Sequence, residues 1–125
     1  MVKYRSSFER RVGKILRRNQ IKFKQEVKFQ NLKGVGNGLL RFDFMVKKGK
    51  KMLLIEVDGR QHRVPVRFGN MSLKNAKKQF KTTKIHDLRK NRYCRKHGFK
   101  LLRLNTDKAN NFSKRIKQFL KRYYD

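Results

Sequence analysis

The sequence predicts an α/β fold in which helices flank a central mixed sheet. Apolar residues recur at helical spacing near both ends of the chain and alternate as in strands in its middle. The resulting order is helix, three strands, helical region, strand and helix, which suits a sheet covered by helices. Neither a repeat nor an interdomain linker interrupts this order, so residues 1–125 are expected to form a single domain.

The first two elements are a helix over residues 7–18 and a strand over residues 21–29. Ser6 and Glu9 have the spacing of a capping box, and apolar residues follow at helical spacing from Phe8 to Leu16. The segment 21–29 alternates in part, as a strand does. Three glycines in residues 31–38 then predict a loop.

Residues 40–46 and 52–58 are predicted to form a hairpin through the lysine-rich connection 47–51. Regular alternation would put four apolar side chains of the first strand on one face. These are Leu40, Phe42, Phe44 and Val46, which leaves Arg41, Asp43 and Met45 on the other face. The same rule puts Leu54, Glu56 and Asp58 on one face of the second strand.

The C-terminal half is predicted to be mainly helical. Residues 59–71 contain Gly59, Pro65 and Gly69 and are expected to be irregular. Residues 72–97 have a helical composition, with a candidate break at Thr82 and Thr83, and Gly98 suits a C-terminal cap. A short strand over 99–104 and an amphipathic helix follow, the latter with Phe112, Ile116, Phe119, Leu120 and Tyr123 at helical spacing.

The charge balance points to a polyanionic partner. Thirty-seven Lys and Arg face eight Asp and Glu, which gives a formal net charge of +29. Such a field attracts nucleic acid. An anionic membrane is the competing target, but the longest apolar run spans only residues 52–55, so no membrane segment is expected. The N-terminus lacks the apolar stretch of a signal peptide and Cys94 stands alone, which favours an intracellular location in cytoplasm or nucleoid.

Three of the few carboxylates occupy the most apolar strands. If the hairpin pairs as predicted, Asp43 can lie near Glu56 and Asp58 on one face of the sheet. Like charges held this closely repel one another unless a cation intervenes, and hard oxygen ligands suit Mg²⁺ or Mn²⁺. A carboxylate site also repels a phosphodiester unless a metal neutralises its approach. The combination predicts metal-dependent cleavage of a polyanion.

Four motifs resemble one known group of enzymes. They are F42-D-F44, I55-E-V-D-G-R-Q-H62, D87-L-R-K-N-R-Y-C-R-K-H-G98 and L101-L-R-L-N105, with Glu9 in the first helix. Together they resemble the very-short-patch-repair-like branch of the PD-(D/E)xK, or restriction-endonuclease-like, nuclease superfamily. The resemblance covers most of residues 7–106 and implies an αβββαβ core, here with an additional C-terminal helix.

The resemblance also implies the roles of individual residues in a metal-dependent DNA endonuclease or nickase. Asp43 would be the principal ligand of Mg²⁺ or Mn²⁺ and Glu56 a second ligand. Asp58 would occupy the position where the superfamily usually has Lys, and we count it with the metal and catalytic residues. His62 would be the general acid or base, and Glu9 would lie at the edge of the site.

Each of these residues has a structural alternative. Glu9 could only cap its helix, and Asp43 could pair with Arg41 or Arg103. Glu56 and Asp58 could form a solvated strand face, and His62 could be an ordinary surface residue. Asp87 with Lys84 and Lys90 could be helix-surface pairing, or Asp87 or Lys90 could assist the site.

Basic residues in three segments are candidates for DNA contact. They are expected to bind backbone phosphates rather than to read bases. They are Lys47, Lys48, Lys50 and Lys51 of the connection, and Lys77, Lys78, Lys81, Lys84 and Lys90 of the helical region. Base reading would belong to Arg60, Arg63, Arg67 and Asn70, unless that loop is only a disordered basic segment. Tyr4, Tyr123 and Tyr124 could stack on unpaired bases or simply pack in the fold.

Two classes of function therefore remain. The first is a small endonuclease, of the kind a mobile element or phage encodes, acting on double-stranded or branched DNA as a monomer or homodimer. Structure-selective junction resolution is a variant of it. The second is a non-catalytic basic protein that binds nucleic acid in the ribosome or nucleoid, to which the net charge alone would point.

Overall fold

A computed structural model describes residues 6–125 and shows an α/β fold with a four-stranded mixed sheet flanked by helices. The predicted fold class is confirmed at this level. Two short 3₁₀ segments, Arg60–His62 and Thr106–Asn111, connect the main elements. Those elements are α1 (Ser7–Arg18), β1 (Lys24–Lys33), β2 (Leu39–Lys48), β3 (Lys51–Asp58), α2 (Leu73–His97), β4 (Lys100–Asn105) and α3 (Phe112–Tyr123).

The strands follow one another across the sheet in the order β1-β2-β3-β4. β1 with β2 and β2 with β3 are antiparallel, whereas β3 and β4 are parallel because α2 carries the chain back between them. A two-residue turn, Gly49–Lys50, joins β2 to β3, with φ of +61° at Gly49. Glycine adopts this conformation without steric cost, which explains its place in so tight a hairpin.

Each face of the sheet has its own apolar core. On one face, α1 and α3 pack against residues such as Phe44, Val46 and Ile55. On the other face, α2 contributes Cys94 and Tyr93 to a smaller cluster that includes Phe42 and Leu54. Because both faces are covered, the central strands carry apolar side chains at consecutive positions instead of alternating with polar ones.

The predicted side-chain directions in β2 are wrong in part, because Phe42 and Phe44 belong to different cores. The prediction assumed a regular strand, in which residues two apart share a face. The alternation of side-chain directions in β2 is interrupted at Asp43. The neighbouring strand, β1, is irregular at the same level. Glu26 lies opposite Asp43, between the pairs Gln25↔Phe44 and Val27↔Phe42, and has φ of +52°. This conformation is uncommon for a non-glycine residue, so it marks a local distortion of both strands.

Other boundaries differ modestly from the predictions. β1 runs over Lys24–Lys33, later than the predicted 21–29, because residues 31–33 stay paired with β2 and only 34–38 form the turn. α2 continues through Thr82 and Thr83, contrary to the candidate break, and the Thr82 hydroxyl donates to the Lys78 carbonyl at 3.3 Å. Gly98 caps α2 as predicted, with φ of +70°.

Two further expectations concern a membrane-spanning segment and Tyr4. Within residues 6–125, no helix is both long and apolar enough to cross a membrane. Tyr4, one of the three candidate stacking tyrosines, lies outside the described residues.

Phe44 gives a direct test of the larger core. Its side chain is fully buried, so Phe44→Ala should lower the free energy of unfolding by about 3–5 kcal/mol. Phe68→Ala is the matched control, because Phe68 is 52% exposed and its truncation should change stability by less than about 0.5 kcal/mol. Urea unfolding followed by circular dichroism measures both, and equal losses would contradict the assignment of Phe44 to the core.

Candidate functional site

A cleft of about 460 Å³ opens where β2 separates from β3. The β2–β3 ladder ends at the pair Phe44↔Ile55, whereas β3 remains paired with β4 as far as Asp58↔Asn105. The last residues of β3 therefore have no backbone pairing with β2. The cleft is lined by the start of α1, the separated strands, the 3₁₀ segment 60–62 and Lys90 of α2. Four of the five predicted catalytic residues border it: Glu9, Asp43, Glu56 and His62.

Asp43 and Glu56 hold the separated strands together through their side chains. Glu56 Oε1 accepts a hydrogen bond from the Asp43 backbone N–H at 2.9 Å, and Asp43 Oδ2 accepts one from the Val57 N–H at 2.8 Å. Both carboxylates are buried. The structure thus brings these two predicted metal ligands together at the cleft.

The environment of Glu56 opposes its ionisation. Burial and the nearby Asp43 carboxylate raise the pKa of Glu56 to about 7, although Lys90 and Arg103 act in the opposite direction. A carboxylate that is costly to ionise gains from any additional cation. The carboxylates of Asp43 and Glu56 would therefore gain from more positive charge nearby, although the chain as a whole has a formal net charge of +29.

Lys90 is the cation closest to this pair. Its Nζ donates to Glu56 Oε2 at 2.8 Å, and it lies 5.4 Å from the centre of the Phe42 ring. Only 12% of its side chain is exposed. Lys90 therefore faces the carboxylates of the cleft, and is not the surface helix residue that one sequence alternative described.

Glu9 reaches the cleft from α1. Its backbone N–H donates to the Ser6 hydroxyl at 3.2 Å, so Ser6 caps the helix as predicted. The Glu9 side chain is buried and lines the same cleft as Asp43 and Glu56. Glu9 can therefore lie in the capped first turn of α1 and also at the edge of the site.

Asp58 belongs to a second cluster beside the cleft. Both of its carboxylate oxygens accept from Arg103 Nη1, at 3.1 and 3.2 Å. The same guanidinium also contacts the Asp87 carboxylate at 3.4 Å, the Asp87 carbonyl at 3.2 Å and the Asn91 side chain at 2.9 Å. Asp58 borders a neighbouring cavity of about 320 Å³ instead of the cleft. The negative charge of Asp58 is neutralised by the ion pair with Arg103.

His62 joins the two clusters. It lines both cavities, and its Nδ1 lies 3.0 Å from Asp87 Oδ2 and 3.7 Å from Asp58 Oδ1. Burial lowers the pKa of His62, but the carboxylates of Asp87, Asp58 and Glu56 outweigh it and raise that pKa overall. The pKa of Asp87 is lowered in turn, because its contacts with His62 and Arg103 outweigh its burial. Asp87 thus orients the imidazole and leaves Nε2 as its second polar atom.

The candidate DNA-binding residues are divided among several parts of the structure. Arg60 and Lys90 line the cleft, and Lys84 borders the neighbouring cavity. Arg63 and Arg67 bond within the fold: Arg63 to the Asp58 carbonyl and the Asp107 carboxylate, and Arg67 to the Met71 carbonyl. Lys77, Lys78 and Lys81 are exposed along α2. The connection 47–51 lies at the other end of β3, about 17 Å from Glu56 along the strand.

The sequence analysis missed the scaffolding role of Arg103 and Asn91. Arg103 had been considered as a partner of Asp43, yet it bonds Asp58 and Asp87, while Arg41 bonds Glu26 at 3.1 Å. The signal that could have found it is the register of the parallel pair, which sets Arg103 beside Glu56 and Asn105 beside Asp58. That register depends on how α2 returns the chain, which local patterns do not encode.

Comparison with known proteins adds little about this site. No family model and no curated protein sequence matches the chain. Among solved structures, the chain is similar to the crystal structure of a protein of unknown function, AF1548, with 16% identity and a TM-score of 0.31. The matched region covers 77% of this chain and 57% of that one.

The raised pKa of Glu56 predicts a pH-dependent stability. Because the folded-state pKa is about 7, above the ordinary value of 4.5, folding favours the protonated carboxyl. This contribution is complete below pH 4.5 and is lost as the pH rises through 7. Glu56→Gln should therefore be more stable than the natural chain at pH 8, by up to about 3 kcal/mol, and the gain should shrink towards pH 5.

Chemical denaturation in metal-free buffer at both pH values tests this. Glu26→Gln is the control, because Glu26 is an exposed carboxylate paired with Arg41, and its loss should change stability by about 1 kcal/mol or less at either pH. A gain for Glu56→Gln that does not grow between pH 5 and pH 8 would contradict the proposed environment.

Arg103→Gln should destabilise the fold by about 2 kcal/mol, because Asp58 and Asp87 would then repel each other without the guanidinium between them. Arg92→Gln removes the same charge from an exposed position of the same cationic protein and should be nearly neutral. Thermal melts of both variants at pH 7 give the comparison. Equal melting temperatures for the two would show that Arg103 does not organise this cluster.

Proposed function

We propose that the chain is a metal-dependent phosphodiesterase that cuts DNA, as an endonuclease or nickase of the restriction-endonuclease-like kind. The observation that supports this most is the buried Asp43 and Glu56 pair in an otherwise strongly basic protein, with His62 and its partner Asp87 beside it. A protein that only binds polyanions gains nothing from carboxylates placed where they would repel the phosphate backbone.

The residues of the cleft fit Mg²⁺ or Mn²⁺ in their chemistry. Asp43 and Glu56 offer hard oxygen donors, and a bound cation would favour the ionised form of Glu56, whose pKa is raised by burial and by the Asp43 carboxylate. These two residues would hold the ion, with Glu9 at the edge of the same cleft. Asp58 is bonded to Arg103, and we assign it to support of the site instead of direct ligation. The bound ion would neutralise the phosphodiester and acidify an attacking water.

The chain's own residues account for the remaining requirements of hydrolysis. His62 can accept or return a proton, because an imidazole ordinarily changes its charge near neutral pH and Asp87 fixes its orientation. Lys90 supplies an ammonium at the position where it can contact a phosphate oxygen, and thereby replaces the lysine that Asp58 displaces from the superfamily motif. Arg60 at the cleft and Lys84 beside it would hold the flanking backbone.

One observation favours the competing function, a non-catalytic basic protein that binds nucleic acid. Lys90 already supplies a cation to Glu56, and within residues 6–125 no group of three or more His, Cys, Asp or Glu side chains is arranged to hold a metal ion. In this alternative the cleft carboxylates only fix the separated strands. Cleavage assays distinguish the two functions directly.

The decisive assay incubates the protein with supercoiled plasmid and with a four-way DNA junction in Mg²⁺, Mn²⁺ or EDTA. We expect metal-dependent nicking that is abolished by Asp43→Ala and by Glu56→Gln, with DNA binding intact or tighter because negative charge has been removed. His62→Gln should slow cleavage by about 10²–10⁴-fold. Preference for the junction over the plasmid would identify the structure-selective variant.

Glu26→Gln serves as the matched control, since it removes a carboxylate that lies outside the cleft. Cleavage by Asp43→Ala or Glu56→Gln at the rate of the natural chain would exclude the assigned site. A gel shift with no cut product in either metal, on a substrate library with randomised sequence, would favour the non-catalytic function.

A further inference from the structure

The end of the sheet farthest from the cleft carries a concentration of positive charge that the proposed chemistry does not use. We call this region the distal end; it is centred on the β2–β3 turn. Lys47, Lys48, Lys50 and Lys51 are all exposed there. Lys48 and Lys51 are direct cross-strand partners. Like charges directly opposite each other destabilise a hairpin, so stability does not explain this arrangement.

In the part of the chain that the structure describes, carboxylates do not pair with these lysines. Lys48 instead lies 4.4 Å from the centre of the Tyr124 ring. A cation over an aromatic face is fixed in position but keeps its full charge for another partner.

The fold brings further cations to the same end. β1 begins beside this turn, since Lys24 pairs with Met45, and β4 begins beside it, since Lys100 pairs with Leu53. Consequently α1, which precedes β1, and α2, which precedes β4, both end there. The contacts of Lys48 with Tyr124 and of Lys100 with Tyr123 place the end of α3 there as well.

Each of these helices has basic residues in its last turn: Arg17 and Arg18 in α1, Arg95 and Lys96 in α2, and Lys121 and Arg122 in α3. Cations at a helix C-terminus are stabilised by the helix dipole, which accounts for these six locally. The dipole does not account for the four lysines of the turn. The sum is a cationic surface assembled from four chain segments that are distant in sequence.

The composition of this surface selects the class of partner. The large hydrophobic residues exposed within residues 6–125 belong to other segments: Val35, Leu39, Val64, Phe68, Leu73, Ile85 and Leu88. A surface that binds membranes would need apolar side chains to enter the bilayer. A phosphate backbone needs only well-placed cations, since its affinity comes from neutralised phosphates.

We propose that the distal end binds a second segment of nucleic acid, through its phosphates, while the cleft holds the first. One protein would then hold two duplexes, or two arms of one branched molecule, at opposite ends of the sheet. This inference goes beyond the proposed function and rests on it only for the nucleic acid in the cleft, because the second site binds without chemistry.

Binding stoichiometry in EDTA tests the proposal without any cleavage. Sedimentation of the protein with excess 15-base-pair duplex gives the composition of the complex, and capture of a fluorescent duplex by an immobilised one reports bridging. We expect complexes of one protein with two duplexes, together with capture. The variant Lys47→Gln, Lys48→Gln, Lys50→Gln, Lys51→Gln should stop at one duplex and reduce capture at least 10-fold. In the natural chain, the four lysines of the turn should contribute about three to four units to the salt slope of the second binding step.

The matched control removes four exposed lysines that lie outside the distal end: Lys14, Lys28, Lys114 and Lys117, each changed to Gln. It has the same net charge as the distal variant and should retain the second duplex. Equal losses in both variants would overturn the proposal in favour of a net-charge effect. If the distal variant does not fold, as judged by thermal melting, Lys50→Gln with Lys51→Gln replaces it with a smaller expected loss.

Three other outcomes also overturn the proposal. A limit of one duplex per protein would mean that a single duplex occupies the whole basic surface. Complexes of two proteins with two duplexes would assign bridging to a homodimer. Loss of binding to phosphatidylserine vesicles by the distal variant, with its second duplex retained, would assign this surface to an anionic membrane.

Discussion

The separation of β2 from β3 at Asp43 is the constraint on which the rest of the structure depends. Two side-chain hydrogen bonds replace the backbone ladder at this point, from the Asp43 N–H to Glu56 and from the Val57 N–H to Asp43. Buried N–H groups need acceptors, so the strands can part only because carboxylate oxygens satisfy them. The same bonds open the cleft and fix the two carboxylates at its wall. A single local feature thus links the stability of the sheet to the chemistry of the site.

Acidic residues in this cationic protein fall into three electrostatic settings. Glu56 is neutralised incompletely, by Lys90, and its burial with Asp43 raises its pKa to about 7. Asp58 and Asp87 share Arg103 and flank His62. Glu26 pairs with Arg41 at the surface. The first setting leaves a demand for positive charge, the second positions an imidazole, and the third has little energetic weight. This division supports the proposal that the cleft carboxylates have a function besides stabilising the fold.

The positive charge is divided in space as well. The lysine-rich turn and the helix C-termini lie at one end of the strands, and the cleft lies at the other. A uniform coat of cations would favour binding in any orientation, whereas a basic region at one end of the sheet and an acidic cleft at the other can orient a polyanion.

The sequence by itself determined the class of fold, the approximate extent of the helices and strands, and the strongly basic character of the chain. Periodicity and capping signals are local, and they located α1, the β2–β3 hairpin and the Gly98 cap. It also singled out Asp43 and Glu56, because carboxylates between apolar strand residues are costly unless they have a use, and His62 through the family resemblance. Only the tertiary structure decided that Phe42 and Phe44 face different cores, since the distortion at Asp43 arises from contacts across the sheet. It alone separated Asp58 from Asp43 and Glu56, and brought Lys90 and Arg103 to the site, because those pairings span 13 to 45 residues of sequence. Such long-range contacts depend on the path of α2 between two parallel strands, for which no short stretch of sequence carries a signal.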